Sequence, residues 1–282
     1  MRSDLCSGCG APYARCGPEL WTQQRKCCPD CSHALDDSGR VRFGDCVELM
    51  PEFPGRGTVD LLLTDPPYKI AANMNGKKHR GRREKRGFGV RFNQRYDGGF
   101  VPYRKWLARA VPTLKPGANV VIFEQPLNLD AVRRAVLASG LRYLGFGVWH
   151  AVGRSSNMNR RPFSTMDVWV WACEPSRPYF YAKRAGLEDV LTAHTENNYV
   201  AGHGVPGAKP VPILRRIIHA LSPEGGLVLD PFLGSGSTGR AAREEGRRWA
   251  GCEIGERLRD VVSARALVGY PPLSRWGEEA VA

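Results

Sequence analysis

Leu61-Leu62-Leu63-Thr64-Asp65-Pro66-Pro67-Tyr68 is the part of the sequence from which the architecture can be worked out. Its apolar residues, led by Val59, predict a strand of a parallel sheet that is buried on both faces. The two prolines end this strand, because proline cannot donate a backbone hydrogen bond to a neighbouring strand. A rigid loop therefore begins at the carboxyl end of the strand, which is where open α/β sheets bind their ligands.

The loop carries two hydrogen-bond acceptors and an aromatic ring. An exocyclic amino group of a nucleobase is a poor nucleophile, because its lone pair is delocalised into the ring. The Asp65 carboxylate and the Pro66 carbonyl would each accept one amino hydrogen and localise that pair, while Tyr68 would stack on a base swung out of its helix. Taken alone, the same residues favour a simpler alternative, a turn stiffened by Pro67 and capped by Asp65.

The composition indicates a polyanionic partner. The chain has 282 residues and a formal net charge of +13, which is typical of proteins that bind nucleic acid or an anionic membrane. A GC-rich genome, which favours arginine codons, would give the same excess of basic residues. No apolar run is long enough to span a bilayer and the N-terminus lacks a secretory segment, so we expect a cytoplasmic protein with no membrane partner.

Four cysteines near the N-terminus have the spacing of a zinc site. Cys6 and Cys9 form one Cys-x2-Cys pair, and Cys28 and Cys31 form a second after 18 intervening residues. Two such turns can hold one tetrahedral Zn²⁺, whereas disulfides are disfavoured in a reducing compartment. We expect residues 1–38 to be a zinc-ribbon-like module that folds on its metal, ahead of a main domain at residues 39–282. Other candidates for the fourth ligand are Cys16, Cys27 and His33.

Residues 69–96 contain ten lysines or arginines and a single acid. A segment with so much like charge repels itself and cannot form part of a core, so we expect a mobile loop. Its place directly after the loop at Asp65 favours contact with DNA phosphates, and a solvated loop or a localisation signal is the alternative. The residues expected to contact DNA are Lys77, Lys78, Arg82, Arg83, Lys85 and Arg86.

Strands and helices alternate through the rest of the chain, which predicts an α/β fold with a doubly wound, mostly parallel sheet of about seven strands. The strands are expected at residues 41–43, 59–63, 119–123, 143–149, 167–172, 226–230 and 249–254. The helices are expected at residues 47–50, 103–114, 129–139, 209–221, 239–245 and 256–268. Residues 151–207 give a weaker pattern that mixes basic and aromatic side chains, and we expect them to recognise the DNA target.

A second motif follows a strand that ends at Asp230, where Gly234-Ser235-Gly236 and Gly239 form a glycine loop. With Glu253, 19 residues beyond Gly234, these glycines match the fingerprint of dinucleotide-binding enzymes, so a nicotinamide-dependent oxidoreductase is an alternative. Such an enzyme would need a second nucleotide-binding half ahead of this loop, and the sequence shows no second glycine loop there. A Walker loop is excluded, because Arg240 follows Gly239 and no Gly-Lys-Ser/Thr occurs.

Together, the two motifs resemble those of the β-class DNA amino-methyltransferases, which use S-adenosylmethionine. In that family the Asp-Pro-Pro-Tyr loop precedes the cofactor loop, a circularly permuted order, and a Lys-Pro helix leads into Asp-Pro-Phe-x-Gly-Ser-Gly. This sequence has the same elements in the same order at residues 65–68, 209–210 and 230–236, and Gly44-Asp45-Cys46 matches one more. The resemblance covers about residues 41–268 and implies a methyltransferase sheet.

The resemblance also implies which residues bind what. Asp65, Pro66, Pro67 and Tyr68 would hold the target base. Those implied for S-adenosylmethionine are Asp45 and Cys46 beside its adenine, Lys209 at its methionine end, Glu253 on its ribose hydroxyls, and Asp230, Phe232, Gly234, Gly236 and Ser237 around the glycine loop. Relatives often carry His-Glu ahead of a strand where this sequence has Ser164-Thr165-Met166-Asp167, which departs from the family pattern.

The activity implied is methylation of the N6 atom of adenine in double-stranded DNA. In the family, Asp in the first position of the catalytic loop goes mostly with adenine and Ser mostly with the N4 atom of cytosine, so Asp65 favours adenine and a cytosine-N4 enzyme is the alternative. A nucleic-acid-binding protein that has lost its catalysis is a further alternative, against which the intact Asp65 and glycine loop both argue. The resemblance also admits a homodimer and a cognate restriction enzyme as partners.

Overall fold

The computed structural model describes residues 41–51, 53–67, 102–154, 165–176, 186–195, 208–255, 258–262 and 266. The zinc-ribbon-like module, Tyr68 and the basic segment at 69–96 lie outside these residues, so what we infer of them stays a prediction. The chain divides into two compact units, Met1–Arg42 and Phe43–Ala282, and the second contains the sites described below.

The described residues form one eight-stranded sheet. Its strands are β1 (Val41–Phe43), β2 (Val59–Thr64), β3 (Leu114–Glu124), β4 (Arg142–Val152), β5 (Met166–Cys173), β6 (Val190–His194), β7 (Leu227–Asp230) and β8 (Arg248–Glu253). They lie in the order β1-β8-β7-β2-β3-β5-β4-β6. Strand β5 runs antiparallel to both of its neighbours, whereas β8, β7, β2 and β3 run parallel to one another.

This sheet confirms the predicted α/β class and its mostly parallel strands, with one correction. It has eight strands instead of seven, because residues 190–194 form an additional strand that pairs in parallel with β4. Only Leu191 of these residues is buried, so the segment lacks the apolar run by which the other strands were predicted. A short strand at the end of a sheet needs little apolar content, because one of its edges and much of its surface face water.

Helices cover the two faces of this sheet. They are α1 (Cys46–Leu49), α2 (Tyr103–Ala110), α3 (Leu129–Ala138), α4 (Val211–Leu221), α5 (Ser237–Glu244) and α6 (Arg259–Val262), with short 3₁₀ turns at Val111–Thr113 and Pro126–Asn128. Trp106 of α2 and Val136 of α3 belong to the same core cluster as Val120 and Ile122 of β3. Asn119, whose side chain points to the opposite face, donates a hydrogen bond at 3.0 Å to the Leu221 carbonyl at the end of α4.

The direction of the strands gathers five acids at one edge of the sheet. Asp65, Glu124, Asp230 and Glu253 stand at or just after the carboxyl ends of the parallel strands β2, β3, β7 and β8. Asp167 joins them from the beginning of β5, because that strand runs the opposite way and pairs its Val168 with Glu124. Ligands of open α/β sheets bind at this edge, so the fold itself points to the candidate site.

No helix among the residues described is long and apolar enough to cross a membrane.

Candidate active site

Asp65 is the acid most open to a substrate. It follows the fully buried strand β2, and its side chain is 27% exposed. Its Oδ2 accepts a hydrogen bond at 2.6 Å from Nζ of Lys209, which is only 5% exposed. Pro66 is buried and Pro67 partly buried, so the backbone beside the carboxylate is held against the protein.

Lys209 lies just ahead of α4 and contacts more than one acid. Its Nζ is also 3.6 Å from Oδ2 of Asp167, and it lies 5.4 Å and 5.6 Å from the ring centres of Phe123 and Trp149. The resemblance assigned Lys209 to the methionine end of the cofactor, and the structure brings its ammonium to the Asp65 carboxylate. The cofactor contact itself stays a prediction.

Asp167 and Arg154 were not among the site residues predicted from the sequence. Arg154 donates to both oxygens of Asp167, at 2.9 Å and 3.0 Å, and its guanidinium lies 5.0 Å from the Trp149 ring centre. The one available signal was an acid at the head of the apolar run Val168-Trp169-Val170, since an acid buried in that position needs a cationic partner. Which cation would serve could not be deduced, because several arginines lie on the connection between β4 and β5 and the sequence does not show which of them returns to Asp167.

A buried hydrogen bond joins the end of strand β2 to the start of the glycine loop. Thr64 donates at 2.7 Å to Oδ1 of Asp230, and the backbone N–H of Phe232 donates to the same oxygen at 3.0 Å. Burial raises the pKa of Asp230 from 3.8 to about 6, and the hydrogen bonds from Thr238, Thr64 and the Phe232 backbone oppose that rise. Asp230 therefore fixes the loop in a position relative to Asp65.

The glycine loop owes its shape to two residues with positive φ. Gly234 has φ 56° and Gly236 has φ 84°, a region that other residues rarely adopt. Gly236 is the N-cap of α5, and a Cβ there would lie 3.2 Å from Cβ of Ala266. Among the described residues, the nearest atom to a Cβ on Gly234 would be the Phe232 carbonyl oxygen, at 3.9 Å. Ser237, the first residue of α5, is buried.

Glu253 ties this loop to the end of β8. Its carboxylate accepts hydrogen bonds from the backbone N–H groups of Gly234 at 2.8 Å and Gly255 at 2.6 Å. Its backbone carbonyl accepts from Gly44 at 2.9 Å, which brings the start of α1 alongside. Four of the predicted cofactor residues therefore converge here, since Asp45 caps α1 by accepting from Val47 at 2.8 Å and Cys46 follows it.

Cys46 is a neutral thiol in this position. Its side chain is buried, and burial raises its pKa well above the usual range, with the nearby Cys252 and Asp45 adding to the effect. It can therefore border a flat apolar ring but cannot act as a thiolate nucleophile.

Glu124 is a buried acid that the sequence reasoning missed. It accepts hydrogen bonds from Tyr103 Oη at 2.7 Å, Asn128 Nδ2 at 2.7 Å and the Gln125 backbone at 3.0 Å. Burial raises its pKa, and Asp65 adds a smaller contribution. Tyr103 is the first residue of α2, so Glu124 anchors the chain where it returns from the basic segment. The signal was present, because Glu124 ends an apolar strand as Asp65 follows one.

The arrangement places a partly exposed carboxylate, Asp65, near a glycine loop that is hydrogen-bonded to a second carboxylate, Glu253. The two halves are coupled through Thr64 and Asp230. One half can polarise an amino group, and the other has an acid at a strand end, which suits a nucleoside-bearing ligand.

Comparison with known proteins gives a family and a fold. The family model described as DNA methylase matches residues 59–264. The Type II methyltransferase M2.DpnII of Streptococcus pneumoniae is 28% identical over 215 residues, which cover 70% of this chain and 78% of that protein. The Type II methyltransferase M2.LlaDCHI of Lactococcus lactis subsp. cremoris is 27% identical over 215 residues, with 70% and 77% covered.

Two solved structures share the fold. The complex of M1.HpyAVI with SAM superposes with a TM-score of 0.59 at 20% identity and covers 80% of this chain and 98% of that one. The cytosine-N4-specific PvuII DNA methyltransferase gives a TM-score of 0.57 at 16% identity and covers 81% and 93%.

Proposed function

We propose, since the chain belongs to the DNA methylase family of N6/N4 methyltransferases, that it transfers a methyl group from S-adenosylmethionine to N6 of adenine in double-stranded DNA. The observation that carries this proposal is Asp65, a partly exposed carboxylate at the end of the buried strand β2, coupled to the glycine loop by Thr64 and Asp230. Family membership supplies the reaction class, and the base and the cofactor are our inference.

The chemistry follows from the two acceptors of the catalytic loop. The Asp65 carboxylate and the Pro66 carbonyl would accept the two hydrogens of the amino group and localise the nitrogen lone pair. A carboxylate also stabilises the positive charge that develops on this nitrogen as the new N–C bond forms. The residues thus act by positioning and by polarisation.

The residues around the glycine loop fit the cofactor. No atom of the described residues crowds Gly234, and the Glu253 carboxylate stands at the strand end where ribose hydroxyls would reach it. S-adenosylmethionine, when bound, supplies an electrophilic methyl group on its sulfonium. Glu253 would hold its ribose, the backbone from Phe232 to Gly236 its methionine part, and Asp45 and Cys46 its adenine.

Cytosine N4 is the second candidate target, because the same two acceptors would serve either amine. One structural neighbour, the PvuII enzyme, is cytosine-N4-specific. The first loop residue favours adenine, since Asp goes mostly with adenine in this family and Asp65 occupies that position here.

The experiment is to incubate the protein with unmethylated genomic DNA and S-adenosylmethionine, digest the DNA and identify the nucleosides by mass spectrometry. N6-methyladenine is the expected product, and N4-methylcytosine alone would overturn the choice of base. Asp65→Ala should abolish methyl transfer while S-adenosylmethionine still binds. The exposed Asp130→Ala, whose ion pairs lie on the surface of α3, is the matched control and should keep full activity. Full activity of Asp65→Ala would overturn the mechanism.

The remaining interpretations concern how DNA is held. We propose that residues 69–96 grip phosphates, that residues 151–207 recognise the target, and that the zinc-ribbon-like module at 1–38 gives an additional DNA contact. A homodimer and a cognate restriction enzyme stay predictions from the family. Membership of the DNA methylase family argues against the alternative that the protein is a nicotinamide-dependent oxidoreductase.

A further inference from the structure

Four charged side chains form a continuous chain at the catalytic edge. Asp65 contacts Lys209, Lys209 contacts Asp167, and Asp167 is held by Arg154. Two carboxylates and two cations alternate in this chain, so their formal charges cancel. Lone buried charges are costly and compensated ones are tolerated, which means that changing any one member alters the others.

The four groups differ in how far substrate could reach them. Asp65 is 27% exposed, whereas the side chains of Lys209 and Asp167 are 5% and 9% exposed. Lys209 therefore approaches Asp65 from inside the protein, and Asp167 lies behind Lys209. Asp167 is too deeply placed to touch a base, and of its two cationic partners it is Lys209 that contacts Asp65.

Lys209 lies at unequal distances from its two acids. Its Nζ is 2.6 Å from Asp65 and 3.6 Å from Asp167, so a movement of about 1 Å would exchange the nearer partner. The ring centres of Phe123 and Trp149 lie at almost equal distances from the ammonium. These rings can stabilise the cation through such a movement, because the cation–π attraction extends to about 6 Å.

The carboxylate of Asp167 is oriented so that it can bind the Lys209 ammonium. Arg154 binds both of its oxygens in a fork, which fixes the plane of the carboxylate and keeps Oδ2 directed at Lys209. Strand pairing supports this position, because Asp167 pairs across the sheet with Trp149, whose ring contacts both cations.

We propose that Asp167, held by Arg154, is a positioning residue that shares Lys209 with Asp65 and takes up its ammonium when the target amino group binds Asp65. An ammonium kept entirely on Asp65 would compete with the amino hydrogens for that carboxylate. Sharing it with Asp167 leaves Asp65 able to accept them. This inference rests on the proposed methyl-transfer function and assigns Asp167 no contact with substrate.

The test is a double-mutant cycle on the whole protein. Asp167→Asn keeps the shape of the side chain and leaves Lys209 with Asp65 as its one acid from this pair. The single-turnover methylation rate is expected to fall about 10- to 100-fold, while the affinity for S-adenosylmethionine, measured by calorimetry, changes less than about twofold. Asp130→Asn, which removes an exposed acid paired with Arg134, is the control and should keep the wild-type rate.

The second half of the cycle decides whether Asp167 acts through Lys209. In a Lys209→Met background, Asp167→Asn should change the rate less than about twofold, because no ammonium remains to be shared. The double variant also restores the net charge of the wild-type cluster. If Lys209→Met does not give a cooperative unfolding transition, Lys209→Gln replaces it.

The outcomes separate this inference from the function beneath it. If the wild type methylates DNA and Asp167→Asn slows the reaction equally with and without Lys209, Asp167 has a structural role only and the inference is wrong. An unchanged rate in Asp167→Asn would also overturn it. Wild-type protein that methylates no base would overturn the proposed function, and the inference with it.

Discussion

Thr64→Val would remove the hydrogen bond that joins strand β2 to the glycine loop. The substitution keeps the side-chain shape and deletes the donor 2.7 Å from Oδ1 of Asp230, at a position that is 1% exposed. A hydrogen bond to a charged group contributes about 1.5–3 kcal/mol, so we expect the free energy of unfolding to fall by that amount near neutral pH. Thr113→Val is the matched control, because Thr113 is equally buried and donates to a neutral acceptor, the Ala110 carbonyl, at 2.6 Å.

The pH dependence distinguishes the two variants. The folded state raises the pKa of Asp230 from 3.8 to about 6, so this group favours folding below about pH 3.8 and loses that contribution as the pH rises through about 6. A shift of about 2 pKa units corresponds to about 3 kcal/mol over that range. Thr64 stabilises the ionised form, so its loss raises the pKa of Asp230 further. Thr64→Val should therefore be most destabilising above about pH 6 and much less so near pH 4, where Asp230 is protonated.

Urea unfolding of the wild type and both variants at about pH 8 and about pH 4.5 measures these differences. The free energy of unfolding should fall by about 1–2 kcal/mol more in Thr64→Val than in Thr113→Val at the higher pH, and by nearly the same amount in both at the lower pH. Equal losses for the two variants at both pH values would refute the reasoning, since they would show that the Asp230 charge does not depend on Thr64.

Two further predictions concern the residues outside the described part of the chain. Protein purified without added zinc should contain about one zinc ion per chain, and chelation should expose residues 1–38 to protease; an N-terminus that stays resistant after the metal is removed would contradict the zinc module. Neutralising the basic segment should weaken DNA binding and flatten its salt dependence while leaving the affinity for S-adenosylmethionine unchanged, and an unaltered salt slope would mean that the segment does not contact phosphates. The residues to replace by Ser or Gln are Lys77, Lys78, Arg82, Arg83, Lys85 and Arg86.

The parts of the fold that could be predicted are those that depend on local pattern. The buried strand β2 is indicated by an apolar run that ends at two prolines. The turn at Gly234–Gly236 is indicated by its closely spaced glycines. Strand β3 was predicted too short, because Lys115-Pro116-Gly117 reads as a break. In the structure Leu114 pairs with Val59, and the strand runs through the proline and glycine. Pairing to a neighbouring strand overrode the local preference there.

The parts of the site that could not be predicted depend on residues far apart in the chain. Asp65 and Lys209 are separated by 144 positions, and Thr64 and Asp230 by 166. Taken singly, each of these residues could be explained by its local role in a turn, a strand or a helix end. Only the strand order, with β7 beside β2, decides which charged and polar groups meet. The family resemblance selected several of these residues as candidates, and the structure shows which of them are in contact.

The reversed direction of β5 affects how DNA specificity can change. Because β4 arrives at the sheet edge that carries Asp65 and β5 departs from it, the connection between them begins and ends at this edge. The Ala151 N–H donates to the Thr165 carbonyl at 2.7 Å, and Arg154 grips Asp167, so the two ends of this connection are fastened together. If residues 151–207 recognise the DNA target as proposed, residues between these two contacts could be exchanged while Asp65 and the glycine loop keep their positions. A new target sequence could thus be acquired by replacing one loop, on a catalytic frame that stays unaltered.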